Sequence, residues 1–217
     1  TALGSGKPPQ FITQCEGEWV PPAQPLPQIV SRLGCDLAPF ALKTAVAEQT
    51  LAAYVWADQL PRLARLREGI AAQRQLAARE EAPKLFPVDL PDELPRFLQE
   101  TAVSLTNNIP TLLYNTYMTA YLHDKGRSLR EHIAAFAQQR AQPTLWVQWE
   151  PMWGQENDAY KYWCAWTADL WQAGQHTHFH LAWVQPHGTQ AHFLPGLAAW
   201  SRKDRSCAVR ARASALS

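Results

Sequence analysis

Pro143-Thr144-Leu145-Trp146-Val147-Gln148-Trp149-Glu150-Pro151 is the stretch that decides the fold class of this 217-residue chain. Leu145, Val147 and Trp149 alternate with Trp146 and Gln148, and almost every residue is β-branched, aromatic or large. A proline stands at each end, where a strand tolerates a missing donor. A run that is apolar on both faces belongs inside a sheet covered on both sides. In open α/β sheets the ligand crevice lies beyond the carboxyl ends of the strands, which puts Glu150 where binding or chemistry is expected. A strand-end glutamate that pairs with a nearby arginine, or is simply solvated, accounts for the same residue.

Outward from that strand, the preceding segment reads as a helix from Leu129 to Gln139. Ser128 and Glu131 form a capping box, with Ile133, Phe136 and Ala137 turned inward. Before it, Pro110 to Tyr117 is an apolar strand that runs into Asn115, Thr116 and Tyr117. Residues 28–37 read as a short strand ending at Asp36. Thr44 caps a helix through Trp56, and Asp58 caps a second from about Leu60 to Glu80, with Leu63, Leu66 and Ile70 on one face. Leu85 to Asp89 is a weak strand ending in a second acid, and Asp92 to Thr101 a short helix. Strands alternating with helices at these lengths predict a three-layer α/β fold with a mostly parallel sheet.

On the far side of Pro151 the pattern changes to a hairpin. Trp163 to Gln172 and Gln175 to Gln185 alternate around Ala173-Gly174, which suits a two-residue turn. Counting outward from the turn places Leu170 opposite Thr177, Ala168 opposite Phe179, Trp166 opposite Leu181 and Cys164 opposite Trp183 on one face. The other face pairs Trp171 with His176, Asp169 with His178 and Thr167 with His180. Alternate strand residues lie about 6.6 to 6.8 Å apart, so two adjacent imidazoles can converge on one ion while three in a row strain to do so. A polar outer face with a cross-strand His–Asp pair explains these residues without metal, and no metal is expected.

Composition narrows the class. The chain has 20 Lys and Arg against 19 Asp and Glu, a formal net charge of +1 without long runs of either sign, which argues against a nucleic-acid or membrane-surface footprint. No stretch has the length of a membrane span. Cys15, Cys35, Cys164 and Cys207 lie far apart with no Cys-x-x-Cys pair, so neither a zinc knuckle nor a disulfide framework is indicated, and the reduced cytoplasm is the expected compartment. The α/β domain is expected over residues 28–200. Residues 1–27 precede it as proline-rich covering loop with a short edge strand at Phe11 to Cys15. Residues 201–217 follow as a basic, disordered tail. Gly4-Ser5-Gly6-Lys7 lacks the following Ser or Thr, and Pro8 stands where a helix would run, so it is not a phosphate loop.

Asp36 and Asp89 each end a predicted parallel strand, and an acid at the end of the second strand of such a sheet commonly accepts hydrogen bonds from a ribose. Either is equally an ordinary turn residue. There is no nucleophile elbow and no Gly-x-Gly-x-x-Gly.

A series of short motifs then occurs in order. It runs Gly34-Cys35-Asp36-Leu37-Ala38-Pro39, then Val55-Trp56-Ala57-Asp58-Gln59 with Arg62-Leu63-Ala64-Arg65-Leu66, then Trp149-Glu150-Pro151, then Leu170-Trp171, and finally Pro186-His187-Gly188. Together they resemble the bacterial domain-of-unknown-function family 2332 over about residues 8–195. The resemblance implies a class I methyltransferase-like, Rossmann-type sheet with a final antiparallel hairpin, S-adenosylmethionine as its ligand, and no established reaction. It also implies that Asp36 is the ribose acid and that Asp89 lies near the adenine. Asn115 and Thr116 fall where family members carry His and Ser, and with Glu150 and His187 they are the further crevice candidates. The glycine-rich motif that cradles the cofactor is expected before Thr1, so the chain reads as a truncated or degenerate member that holds the ligand weakly or not at all. A non-enzymatic interaction or structural protein on the same sheet is the alternative. Without the first, central strand, the strands ending at Asp36 and Asn115 are expected to keep unpaired edges and the chain to be marginally stable. Asp36, Asp89, Asn115 and Glu150 are expected around one crevice, with His176, His178 and His180 apart from it.

Overall fold

The computed structural model describes residues 9–17, 27–103, 108–152, 158–197 and 200. The Gly4–Lys7 segment and the basic tail lie outside the described residues. In chain order the strands are β1 (Gln14–Gly17), β2 (Leu33–Asp36), β3 (Lys84–Pro87), β4 (Thr111–Thr116), β5 (Thr144–Pro151), β6 (Cys164–Gln172), β7 (Gln175–Val184) and β8 (Gln190–Phe193). The helices are α1 (Ala45–Ala53), α2 (Leu60–Ala78), α3 (Leu94–Phe97, continued by a π-helical turn Leu98–Ala102) and α4 (Arg127–Gln138). The chain forms two compact units, one of Thr1–Phe11 and Leu26–Glu93, the other of Ile12–Pro25 and Leu94–Ser217.

In the first unit β2 and β3 pair in parallel, Leu33 opposite Lys84 and Asp36 opposite Pro87, as a sheet of two strands. The strand expected to end at Asp36 does so, whereas β3 stops at Pro87, two residues short of Asp89. Thr44 caps α1 as expected, its Oγ1 accepting the Ala47 N–H at 3.1 Å. Asp58 does not cap α2. Gln59 occupies the cap without a side-chain bond, and Pro61 in the first turn has no N–H to satisfy. Leu63, Leu66 and Ile70 share the predicted face and line a groove with Ala45 and Ala52 of α1.

The second unit is built on a six-stranded sheet in the order β1-β8-β7-β6-β5-β4. This sheet is mixed rather than mostly parallel. β4 with β5 and β1 with β8 are parallel, while β5 with β6, β6 with β7 and β7 with β8 are antiparallel. Of the successive strand pairs in this sheet only β4 and β5 are parallel, with a helix between them, and the two- and five-residue links after β6 and β7 are too short for a parallel crossover. β1 is the edge strand expected in the proline-rich segment, displaced from Phe11–Cys15 to Gln14–Gly17. Within the described residues β2 pairs only with β3, and β4 pairs only with β5, so each keeps one open edge. One face of β4 is also exposed, with Leu112 at 60 % and Tyr114 at 76 %.

β5 buries every residue on one face, Thr144, Trp146, Gln148 and Glu150, and half-buries Leu145, Val147 and Trp149 on the other. The apolar face packs Leu145, Val147, Trp166 and Leu170 around Ala168, Phe179 and Leu181, with Leu197 and Trp200 over them. Ala173 and Gly174 both take positive φ at the hairpin turn, as a tight two-residue turn requires. The predicted register holds from the turn through Thr167 opposite His180. It then slips, because Trp166 pairs with Ala182 and Cys164 with Val184 instead of Leu181 and Trp183. Leu181 is the extra residue of a β-bulge, an irregularity that alternation counting cannot anticipate.

α4 does not begin with the expected Ser128 box. Gly126 is its cap residue at φ +81°, and the Asp124 carboxylate accepts the N–H groups of Gly126 and Ser128 and the Ser128 hydroxyl. Those bonds hold the Asp124 carboxyl well below the usual carboxylate range, the Ser128 hydroxyl foremost. A Cβ on Gly126 would lie 2.6 Å from Thr119 Cγ2. Gly126→Ala is therefore expected to lower stability by about 1 to 3 kcal/mol, combining a left-handed backbone with that contact. Urea unfolding monitored by tryptophan fluorescence checks it.

Candidate functional site

The carboxyl ends of β4 and β5 bring together two of the residues singled out in the sequence, Asn115 and Glu150. Parallel register places Asn115 beside Gln148, and alternation turns both onto the buried face that carries Trp146 and Glu150. Glu150 is buried, and all of its acceptor capacity is engaged. Oε1 accepts from Asn115 Nδ2 at 2.6 Å and from the Met118 N–H at 2.8 Å, and Oε2 accepts from the Thr119 N–H at 3.0 Å and the Thr119 hydroxyl at 2.7 Å. Asn115 Oδ1 in turn accepts from Trp146 Nε1 at 2.6 Å. Among the described residues no arginine pairs with Glu150.

This arrangement explains how β4 ends. Tyr117 takes a φ of +52° and donates its N–H to the Trp149 carbonyl, and the chain then turns through a 3-10 segment, Thr119–Tyr121. Two consecutive backbone donors, the part-buried Met118 N–H and the buried Thr119 N–H, both find an acceptor in this carboxylate. Thr116 pairs with Trp149 and shares its face, away from Glu150. Cys164, opposite Pro151, has its thiol pushed up to about 11, first by burial and then by the nearby Glu150 charge, so it is protonated at neutral pH. Met118, Thr119 and Trp146 are the functional partners that pattern reading missed, since nothing in their local sequence marks a loop folded over a strand end.

Asp36 and Asp89 belong to the first unit, at the ends of β2 and just after β3, and both are exposed. Asp36 Oδ1 accepts the Ala38 N–H at 2.9 Å in a local turn. His187 is exposed in the turn between β7 and β8, next to Gly188, which lies against the Trp149 indole.

The histidines occupy the turn end of the hairpin, rungs away from Glu150, as expected. Their face is not the solvated one that the alternation suggested, because Asp169 and Trp171 are buried there. Asp169 Oδ1 accepts from His176 Nε2 at 2.8 Å and from His178 Nδ1 at 2.9 Å, and Gln148 Nε2 reaches Oδ2 at 3.2 Å. Burial pushes the Asp169 carboxyl upward, but the hydrogen bonds and charges of His178 and His176 outweigh it and hold it below its ordinary value. The Asp169 bond raises His178 against its own burial, while burial, and next the His178 charge, lower His180. Among the described residues no group of three or more His, Cys, Asp or Glu is arranged to hold a metal ion, and no helix is long and apolar enough to cross a membrane.

A family model described as an uncharacterized protein conserved in bacteria matches residues 2–192. No curated protein and no solved structure matches the chain.

Proposed function

The chain belongs to the bacterial family DUF2332, and from that premise we propose a cytoplasmic domain of the S-adenosylmethionine-dependent methyltransferase-like class, which places the ligand's ribose on Asp36 and its adenine near Asp89. The observation that carries this reading is the β2–β3 pair, two parallel strands joined through helices, each followed by an exposed carboxylate. Asp36 Oδ2 has no partner among the described residues and is free to accept a ribose hydroxyl. The Rossmann-type class is further supported by the parallel β4–β5 pair with α4 between them and by the antiparallel β6–β7 hairpin that follows. The cytoplasmic part of this reading is supported by the thiols of Cys15, Cys35 and Cys164, which are free among the described residues.

Calorimetric titration with S-adenosylmethionine, wild type against Asp36→Asn, tests the assignment. A dissociation constant raised about tenfold, the effect of losing roughly one charge-assisted hydrogen bond, is expected. Identical isotherms, or no heat from either protein, would overturn it.

A second reading, a non-enzymatic interaction or structural protein, is favoured by one observation. Glu150, the carboxylate at the expected crevice, spends its bonding on the protein's own loop.

A further inference from the structure

We propose that Asp169, His176 and His178 form a proton-operated latch that fastens the turn end of the β6–β7 hairpin. One carboxylate oxygen takes two imidazole N–H groups from alternate residues of the facing strand, and the acceptor and donors differ sharply in exposure. The Asp169 side chain is 10 % exposed, while those of His176 and His178 are 47 % and 55 % exposed. A fixed, buried anion is thus bridged to solvent by two groups that can take up or release protons without any opening of the sheet.

The surroundings leave these three groups in control. β5 contributes Gln148, which donates to the second carboxylate oxygen, and Trp146, the cross-strand neighbour of Asp169, both neutral. On β7 the next titratable group is His180, whose titration is pushed down by its burial and then by the neighbouring His178 charge. Trp171 stacks on the His176 ring at 4.6 Å and limits where that imidazole can swing. The last two rungs of the hairpin are Trp171–His176, which carries one of the latch imidazoles, and Gln172–Gln175 next to the turn.

The direction of the effect follows from linkage. His178 titrates higher in the fold than its ordinary 6.5, so its contribution is complete below that pH and is lost as pH rises through the folded value. Asp169 titrates below its ordinary 3.8, so its contribution is present above that pH and is lost as pH falls through the folded value. The latch is fast in mildly acidic medium and loosens on the alkaline side, where the imidazolium–carboxylate bond becomes a weaker neutral one.

Amide hydrogen exchange, corrected for the intrinsic pH dependence, reads the hairpin end directly between about pH 6 and about pH 8. In the wild type, protection at Trp171, Gln172, Gln175 and His176 is expected to fall several-fold across that range, with the β8 amides as an unchanged internal reference. The His176→Gln/His178→Gln double variant keeps amide donors toward Asp169 and is expected to lose the pH dependence. Equal protection at both pH values in the wild type, or the same fall in the double variant, would overturn the latch. His178→Gln alone is the second probe should the double variant not fold, with the same two outcomes.

Discussion

Glu150→Ala is expected to lower stability by about 3 to 5 kcal/mol, because it strands donors that nothing else can reach. The Met118 and Thr119 N–H groups, the Thr119 hydroxyl and the Asn115 amide all lose their acceptor at once. Thr119 is fully buried, so water cannot take the carboxylate's place without opening the loop. Glu150→Gln should cost less, about 1 to 3 kcal/mol, since one acceptor oxygen remains while the new NH2 faces other donors. Denaturant midpoints for the two variants at an unchanged slope give both values. A loss below about 1 kcal/mol for Glu150→Ala would mean that the loop after β4 does not depend on this carboxylate.

The second large effect belongs to the opposite face of the sheet. Phe179→Ala is expected to cost about 3 to 5 kcal/mol, with His178→Ala, one residue away, well under 1. Phe179 is buried among Ala168, Leu181, Leu145, Val147 and Leu170, and the Trp200 ring meets it edge-on at 5.2 Å. His178 is more than half exposed and gives up one bond to a carboxylate that keeps His176 and Gln148. Thermal unfolding of the two variants decides it. Equal, small losses from both would mean that the two faces of β7 are exchanged.

Much of the strand layout is legible in the amino-acid order, for reasons that individual residues make plain. β5 and the β6–β7 hairpin are long enough for alternation to accumulate, and Ala173-Gly174 fixes a register that holds for the six rungs from Gln172–Gln175 to Thr167–His180. Asp36 ends its strand, and Thr44 caps its helix, because both act through bonds to their own immediate neighbours. What fails depends on partners distant in sequence. β8 is four residues long and exists as a strand because β7 and β1 flank it. The antiparallel placement of β6 against β5 is not marked by any single residue in either strand. Glu150 was legible as a carboxylate at a strand end, but its role was not. Its partners Met118 and Thr119 come from a loop more than thirty residues earlier, and no periodicity announces that loop's return. Asp124 illustrates the same point on a shorter scale, taking the capping role from Ser128 by bonding to it.

The bulge in β7 bears on what lengths of chain this sheet accepts. Leu181 has no partner on β6, while on its other side its carbonyl accepts the Leu194 N–H at 2.8 Å, and both it and Ala182 pack on the Trp166 side of the sheet. Deleting Leu181 would give up its packing and that bond yet leave Thr167–His180 and Trp166–Ala182 as consecutive rungs of an ordinary β6–β7 ladder. Deleting a residue between the turn and His180 instead exchanges the faces of part of the strand, carrying imidazoles into the apolar layer and Phe179 out of it. β7 therefore holds its slack at a single position, and the distance from the Ala173-Gly174 turn to His180 is the part of the strand whose length is fixed by what its side chains must meet.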